Sequence, residues 1–483
     1  MSRPNILLIT TDQQRFDTIQ ALGNEYIYTP HLNWLVDEGI SFTNCYATSP
    51  VCMASRTSIM TGMHGYSIGQ CGNNTDVLPM KERPTLPGVL TKNGYQTRAQ
   101  GKMHFHPMRA NYGFEYMELP MDYYRSMAGS VHVPKGHGVG ENEIEPVIST
   151  VDEIHSATYW TVKRSIDFLE TQDNTRPFFL WTSFAKPHPP FDPPVNYWTL
   201  YQNKALPAPV TGDWSAGGCC AENGKPRHGF CGSMYSLNNG YRMTAEQKMD
   251  SKRAYYACIT QIDYTLGLLF ARMREMGLLE NTWIVFTSDH GDMMGDHGLF
   301  AKSVFFEGSA HVPMIVRPPV RSWTKDPLQG KRCNTLVTLA DVMPTIMDIA
   351  GITSTSGEAV KMDGSNMLNF VDTNTKDRTF YGNCGDTFFA VMKDGFKYTW
   401  ARQGDSDLLF NMNEDPQERH DLAGANPKLV AEMKTMLCLE MQKCRPELVR
   451  NGKITTLSPV TSPDDVAKWP GFHSTVFPSD VLH

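Results

Sequence analysis

The chain has 483 residues, 41% of them hydrophobic and 20% charged, with a formal net charge of −7. That length suits one large α/β domain carrying a smaller one, and is too great for a single small core. The acidic balance leaves no basic excess for a phosphate backbone, which argues against nucleic acid as a partner, and no stretch reaches the roughly 18 apolar residues that read as a membrane span.

The start, Met1-Ser2-Arg3-Pro4-Asn5, has no apolar leader. The eleven cysteines are odd in number and lack zinc-ligand spacing. Both features lead us to expect a reduced, cytoplasmic protein. Cys219, Cys220 and Cys231, with His228 nearby, lie in a Gly-rich segment without paired Cys-x-x-Cys units and are not expected to hold a metal. The sequon Asn73-Asn74-Thr75 is read as a chance match.

Asn5 to Thr10 is a continuous apolar run of strand length, the pattern of a strand buried on both faces, and it delivers Asp12 and Gln13 at its carboxyl end. Thr29-Pro30 opens a short helix that Gly39 ends, and Ile40 to Tyr46 reads as the next strand. A helix is expected over Ala54 to Met63, and a strand over Pro177 to Phe184. Residues 198–243, rich in Gly, Pro and Asn, form a connection long enough to border a substrate. Thr244-Ala245-Glu246-Gln247 is a capping box, and Cys258, Ile262, Leu266, Leu269 and Met273 follow at helical spacing as core. Thr282 to Ser288 is a further strand, with Asp289 at its end.

From about Lys376 the strands shorten, as in Phe388 to Met392 and Phe396 to Trp400, and Asn426-Pro427 caps a helix running to about Met441. The pattern predicts an α/β fold: a large doubly wound, mixed or parallel sheet flanked by helices over residues 1–375. A smaller C-terminal α+β subdomain is expected over residues 376–483.

Cys52 opens the run Cys52-Met53-Ala54-Ser55-Arg56, which closes at Thr61-Gly62. A lone cysteine is ordinarily a small buried hydrophobe. This run, however, resembles the sulfatase signature Cys-x-Pro/Ala-x-Arg, with Ala54 in place of the commoner proline and Met53 in place of a small residue. The resemblance implies an alkaline-phosphatase-like fold and conversion of Cys52 to formylglycine by a formylglycine-generating enzyme. It also implies that Arg56 pairs with the formylglycine oxygen and later with sulfate. A helix beginning just after the nucleophile would favour an anion there.

Thr11-Asp12-Gln13 and Ser288-Asp289-His290-Gly291-Asp292 each join acids to an amide or imidazole, which suits a hard divalent cation. The resemblance makes Asp12, Cys52, Asp289 and His290 the metal ligands, with Ca2+ the first candidate and Mn2+ admitted by the imidazole. It assigns Gln13 and Asn73 to the substrate and places Lys102, His104, His188 and Lys302 around the sulfate. Alternation puts Lys102 and His104 on one face if that segment is extended. Gln13 and His290 make the chain similar to the branch that contains choline sulfatases and phosphonate monoester hydrolases.

Near the C-terminus, Asp407-Leu408-Leu409-Phe410-Asn411 with Asp415-Pro416 resembles the close of sulfatases. The implied activity is hydrolysis of an alkyl, aryl or carbohydrate sulfate monoester. The alternatives are a phosphonate monoester or phosphodiester hydrolase using the same site, and a silent binding protein that keeps Cys52 unmodified. The segment Cys384 to Lys397, with Asp386 open to a cationic group, is expected to help select the alcohol. The resembling branch also suggests a homo-oligomer.

Overall fold

The apolar run near the start of the chain becomes the middle of the largest sheet. Asn5–Asp12 pairs in parallel with Phe178–Pro187 on one side and Thr282–Ser288 on the other. The computed structural model describes residues 3–73, 83–128, 143–215, 230, 243–319, 327–352, 361–373, 375 and 377–458. Within them the eight strands lie in the order Lys331–Cys333, Ile40–Phe42, Met314–Arg317, Thr282–Ser288, Asn5–Asp12, Phe178–Pro187, Gln96–Gly101, Tyr116–Glu118. Met314–Arg317 runs antiparallel to both neighbours, so the sheet is mixed.

Alternation along the central strand explains why both faces are covered. Ile6 and Leu8 pack with Trp181, Val285 and Ile346, whereas Leu7 and Ile9 pack with Ile262, Leu266, Leu269 and Met273 of the helix Ala245–Glu275. That helix starts where its capping box predicts: Thr244 Oγ1 accepts the Gln247 N–H at 3.2 Å, and the Gln247 side chain accepts the Thr244 N–H at 2.8 Å.

Residues 40–46 do not form one strand. Ile40–Phe42 belongs to the large sheet, and Cys45–Tyr46 to a separate three-stranded sheet with Val337–Thr338 and His311–Val312. The backbone changes partners between them: the Thr43 N–H donates to Cys333 O, and Asn44 O accepts the Val337 N–H. Apolar alternation carries no record of which strand lies alongside.

Phe380–Cys384, Phe388–Lys393, Phe396–Ala401 and Ser406–Asn411 form a four-stranded antiparallel sheet. One face packs on Met433, Leu437 and Met441 of the helix Pro427–Cys444. The other face puts Phe380, Phe388 and Phe410 in a cluster with Val51 and Ala54, and thereby buttresses the segment that carries Cys52.

The segment Cys384 to Lys397, expected to help select the alcohol, mixes buried and exposed positions, with Asp386 exposed. Lys397 is fully buried between Glu307 and Glu418, and Asp386 pairs with Arg445 at 2.8 Å. Most of the expected substrate-bordering loop, with Cys219, Cys220, His228 and Cys231, lies outside the described residues, as do Asn74 and Thr75 of the sequon. Among the described residues no helix is long and apolar enough to cross a membrane.

Candidate active site

Adjacent parallel strands set the geometry. Thr11 stands opposite Ser288 in register, so Asp12 and Asp289 leave the sheet side by side at the carboxyl ends of their strands, where open α/β sheets bind ligands. The third contributor is the helix Cys52–Thr61, which begins at Cys52 itself rather than at Ala54 and is buried along its whole length. Gly62 ends it in the left-handed region, at φ 67°, with its N–H on Ser58 O. Val51, at the N-cap, offers no side-chain bond. Asn73, twenty residues past Met53, supplies the cap through Oδ1, which accepts the Met53 N–H at 3.0 Å. Asn73, expected to bind substrate, thus spends one end of its amide on the backbone next to Cys52.

The ligand atoms of Asp12, Cys52, Asp289 and His290 all lie within 4.8 Å of one another, and all four residues are buried. Cys52 Sγ, which stands in for the formylglycine oxygen, is 3.3 Å from His290 Nε2 and 3.8 Å from Asp12 Oδ1. His290 Nδ1 lies 2.9 Å from Gly291 O, so the ring proton sits on Nδ1 and the Nε2 lone pair faces the other donors. Two carboxylates, one imidazole nitrogen and an oxygen at position 52 fit a divalent cation.

The two carboxylates do not behave alike. Burial pushes Asp12 up, but Lys102, His188, Arg56 and His290 outweigh it and hold Asp12 well below the usual carboxylate range. Asp289 is raised, by burial and then by the charge of Asp12. Burial and Asp12 likewise push the Cys52 thiol up, yet Lys302, Lys102 and His290 together bring it well below the ordinary thiol range. The pocket therefore favours negative charge at position 52.

Arg56 is fully buried and braces this arrangement. Nε donates to Asp289 Oδ2 at 2.8 Å, Nη2 to Asp12 Oδ2 at 3.1 Å, and Nη1 to Lys102 O at 2.6 Å and Ser183 Oγ at 2.8 Å. These bonds occupy all but one of its N–H groups, which leaves little for the direct pairing with formylglycine and sulfate that the sequence suggests. Nothing in the sequence marks Ser183.

Lys102 Nζ lies 2.7 Å from Asp12 Oδ2. Its strand stops at Gly101, where φ is 96° and an added Cβ would stand 2.0 Å from Ser183 O, so the chain can turn there only with glycine. Beyond that turn strand alternation no longer applies. His104, at φ 55°, is exposed and forms no hydrogen bond or ion pair among the described residues. His188 is partly buried, its Nδ1 is 2.7 Å from Pro189 O, and burial followed by Lys302 and Lys102 holds it well below the usual imidazole range.

Gln13, expected to touch substrate, is fully buried with both ends of its amide engaged. Nε2 donates to Asp292 Oδ2, Oε1 accepts from Lys302 Nζ at 2.5 Å, and the backbone N–H donates to Asp289 Oδ1 at 3.0 Å. The sequence carries Asp292 within the Asp289 motif but gives it no role. Its signal was its place two positions after His290.

A mixed sheet that brings two acids, an imidazole and a helix-borne cysteine to the carboxyl ends of its strands has the alkaline-phosphatase-like fold. Residues 4–352 match the family described as Sulfatase, and residues 295–446 match the C-terminal family of N-sulphoglucosamine sulphohydrolase. The chain belongs to the sulfatase family, whose members hydrolyse sulfuric esters. It is 33% identical over 451 residues to an arylsulfatase of Clostridium perfringens (strain 13 / Type A), covering 87% of this chain and 90% of that protein. It is 28% identical over 460 residues to a choline-sulfatase of Rhizobium meliloti (strain 1021), covering 90% and 85%. The fold is shared with the phosphonate monoester hydrolase of Agrobacterium radiobacter at a TM-score of 0.75 and 24% identity, over 94% of this chain and all of that one.

Proposed function

We propose that the protein cleaves an alkyl, aryl or carbohydrate sulfate monoester, using formylglycine formed from Cys52 and one divalent cation, with Ca2+ the first candidate and Mn2+ the second. The observation that carries this reading is the convergence of Cys52 with Asp12, Asp289 and His290, under the positive charge of Lys102 and Lys302.

Hydrated formylglycine would supply two hydroxyls on one carbon, one to attack sulfur and the other to restore the aldehyde and expel sulfate; a bound divalent cation would polarise the ester and favour an ionised hydroxyl. The remaining work falls to the chain's own groups. Asp12, Asp289 and His290 would hold the cation, and Arg56 and the Gly291 carbonyl keep them aimed. Lys102 and Lys302 oppose the charge that grows on the sulfate oxygens. His188, with its Nδ1 tied to Pro189 O, offers Nε2 as the proton donor to the leaving alcohol. The negative charge of the sulfate ester beside it would offset Lys302 and Lys102, which after burial are what disfavour its cationic form. His104 is assigned the proton of the second hydroxyl.

Peptide mass of the Cys52 region, from protein made with and without a formylglycine-generating enzyme, tests the reading. Conversion lowers the mass by about 18 Da as thiol becomes aldehyde. A loss of mass that tracks sulfate release supports the proposal. An unmodified thiol in protein that still releases sulfate would sink the formylglycine route, and an unmodified thiol without turnover would favour the binding-protein reading.

A second reading is hydrolysis of phosphonate monoesters or phosphodiesters at the same site. Gln13 and His290 support it, as does the fold shared with the Agrobacterium enzyme. Initial rates on matched sulfate and phosphonate esters decide between the two.

A further inference from the structure

Five of the eight residues from Pro187 to Pro194 are prolines, and His188 lies among them. Proline has no backbone N–H, so only His188, Phe191 and Asp192 can donate from the main chain of this stretch. Little of the loop can bond to itself, and it must be held through its carbonyls and side chains. Its surroundings supply that hold. Phe191 O accepts the Val147 N–H at 3.1 Å, and Pro193 O accepts the Ser149 N–H at 3.0 Å. The Phe191 ring is fully buried and stands edge-on to Tyr255 of the helix Ala245–Glu275, with centroids 5.7 Å apart.

A side-chain pair closes the part of the loop that carries the histidine. Lys186, which immediately precedes Pro187, directs Nζ to both Pro190 O and Asp192 Oδ1. Asp192 is buried, and its own N–H donates to Pro190 O at 3.1 Å. The Pro190 carbonyl is thus gripped from both sides. His188 Nδ1 lies 2.7 Å from the carbonyl of Pro189, the residue directly before it. With Nδ1 donating there, the ring has only Nε2 left to offer.

We propose that Lys186 and Asp192 are positioning residues for His188. Their ion pair ties the two ends of the loop together, and the grip on Pro190 fixes the neighbouring carbonyl that orients the imidazole. This rests on the reading of the site as a sulfate ester hydrolase with His188 as proton donor. Lys186 and Asp192 act through His188 and take no part in the bond changes.

The test is a double-mutant cycle on formylglycine-converted enzyme with confirmed turnover of nitrophenyl sulfate, so that failure of the hydrolase reading is seen first, in the parent protein. Asp192→Asn keeps the shape and removes the charge that holds Lys186. We expect it to lower kcat/KM on an alkyl sulfate by roughly 10-fold or more in the parent and by less than about 2-fold in a His188→Ala background. On nitrophenyl sulfate, whose leaving group needs little proton transfer, the loss should stay below about 2-fold in both backgrounds. A general loosening of the fold would slow both esters alike.

If Asp192→Asn melts well below the parent, Lys186→Met combined with Asp192→Asn takes its place, since that pair leaves no buried charge without a partner. Equal fold-losses in the parent and His188→Ala backgrounds would overturn the proposal. If His188→Ala by itself slows the two esters equally, the proton-donor assignment fails, and the coupling between positions 192 and 188 still decides the positioning role.

Discussion

Arg56 Nε lies 2.8 Å from Asp289 Oδ2, with both side chains completely buried. The same guanidinium reaches Asp12 at 3.1 Å, so one cation links the two acids that flank Cys52. A fork of fixed geometry can span both, and a single ammonium cannot. Arg56→Lys should therefore weaken metal affinity by about 10- to 100-fold, the range seen when groups that orient metal ligands are lost. Titration of chelator-stripped protein with Ca2+ and with Mn2+, read by melting temperature, checks this. Unchanged affinity for both ions would remove Arg56 from the bracing role.

In the proposed cation site, His290 should decide which ion is preferred. Its Nε2 is the one nitrogen among the candidate donors, and nitrogen suits Mn2+ better than Ca2+. Replacement by Asn offers an amide oxygen instead. His290→Asn should shift the ratio of half-saturating Mn2+ to Ca2+ toward Ca2+ by about 10-fold, measured as restored activity after chelation. A ratio that does not move would mean that position 290 does not bind the ion.

His188 should matter in proportion to how badly the leaving alcohol needs a proton. His188→Ala is expected to lose roughly 100- to 10,000-fold on an alkyl sulfate and far less on nitrophenyl sulfate, whose phenolate leaves unaided. His104→Ala should slow both esters by a similar factor, because its proposed role lies in the step that regenerates the aldehyde. Equal losses for His188→Ala on the two esters would exchange or cancel the assignments.

Away from the site, Lys397 is held by Glu307 and by Glu418, the latter at 2.8 Å, and the two acids repel each other. Burial, reinforced by the charge of Glu307 and opposed by Lys397, pushes Glu418 up from 4.5 to about 7. A folded value above the unfolded one means that the native state keeps a proton which the unfolded chain has released. Its stabilising effect is complete below pH 4.5 and is lost as pH rises through about 7. Glu418→Gln mimics the protonated form at every pH. Relative to the parent, its unfolding free energy should improve by roughly 1 kcal/mol or more between about pH 5 and pH 8, followed by denaturant titration. A constant difference at both pH values would show that Glu418 does not titrate in this window.

Much of this protein was legible before any fold was seen. The buried apolar run before Asp12, the capping box at Thr244 and the strand ending at Ser288 are local signals, each complete within a few residues, and the structure contains all three. The cysteine run and the two acidic motifs were legible as residue types in a fixed chain order. The break at Thr43-Asn44 was not, because it depends on which strand lies alongside.

What the tertiary structure alone decided is how the polar groups share their hydrogen bonds. The sequence points Arg56 to formylglycine and sulfate and Gln13 to the substrate; in the fold Arg56 bonds to Asp12, Asp289, Ser183 and the backbone, and Gln13 to Asp292 and Lys302. Asn73 caps the helix of Cys52, and Asp386 is taken by Arg445. A side chain's chemistry is written in its own position, whereas its partners stand far along the chain, as with Gln13 and Lys302, 289 residues apart. Burial makes each donor and acceptor find such a partner, and only the folded chain determines which one is in reach.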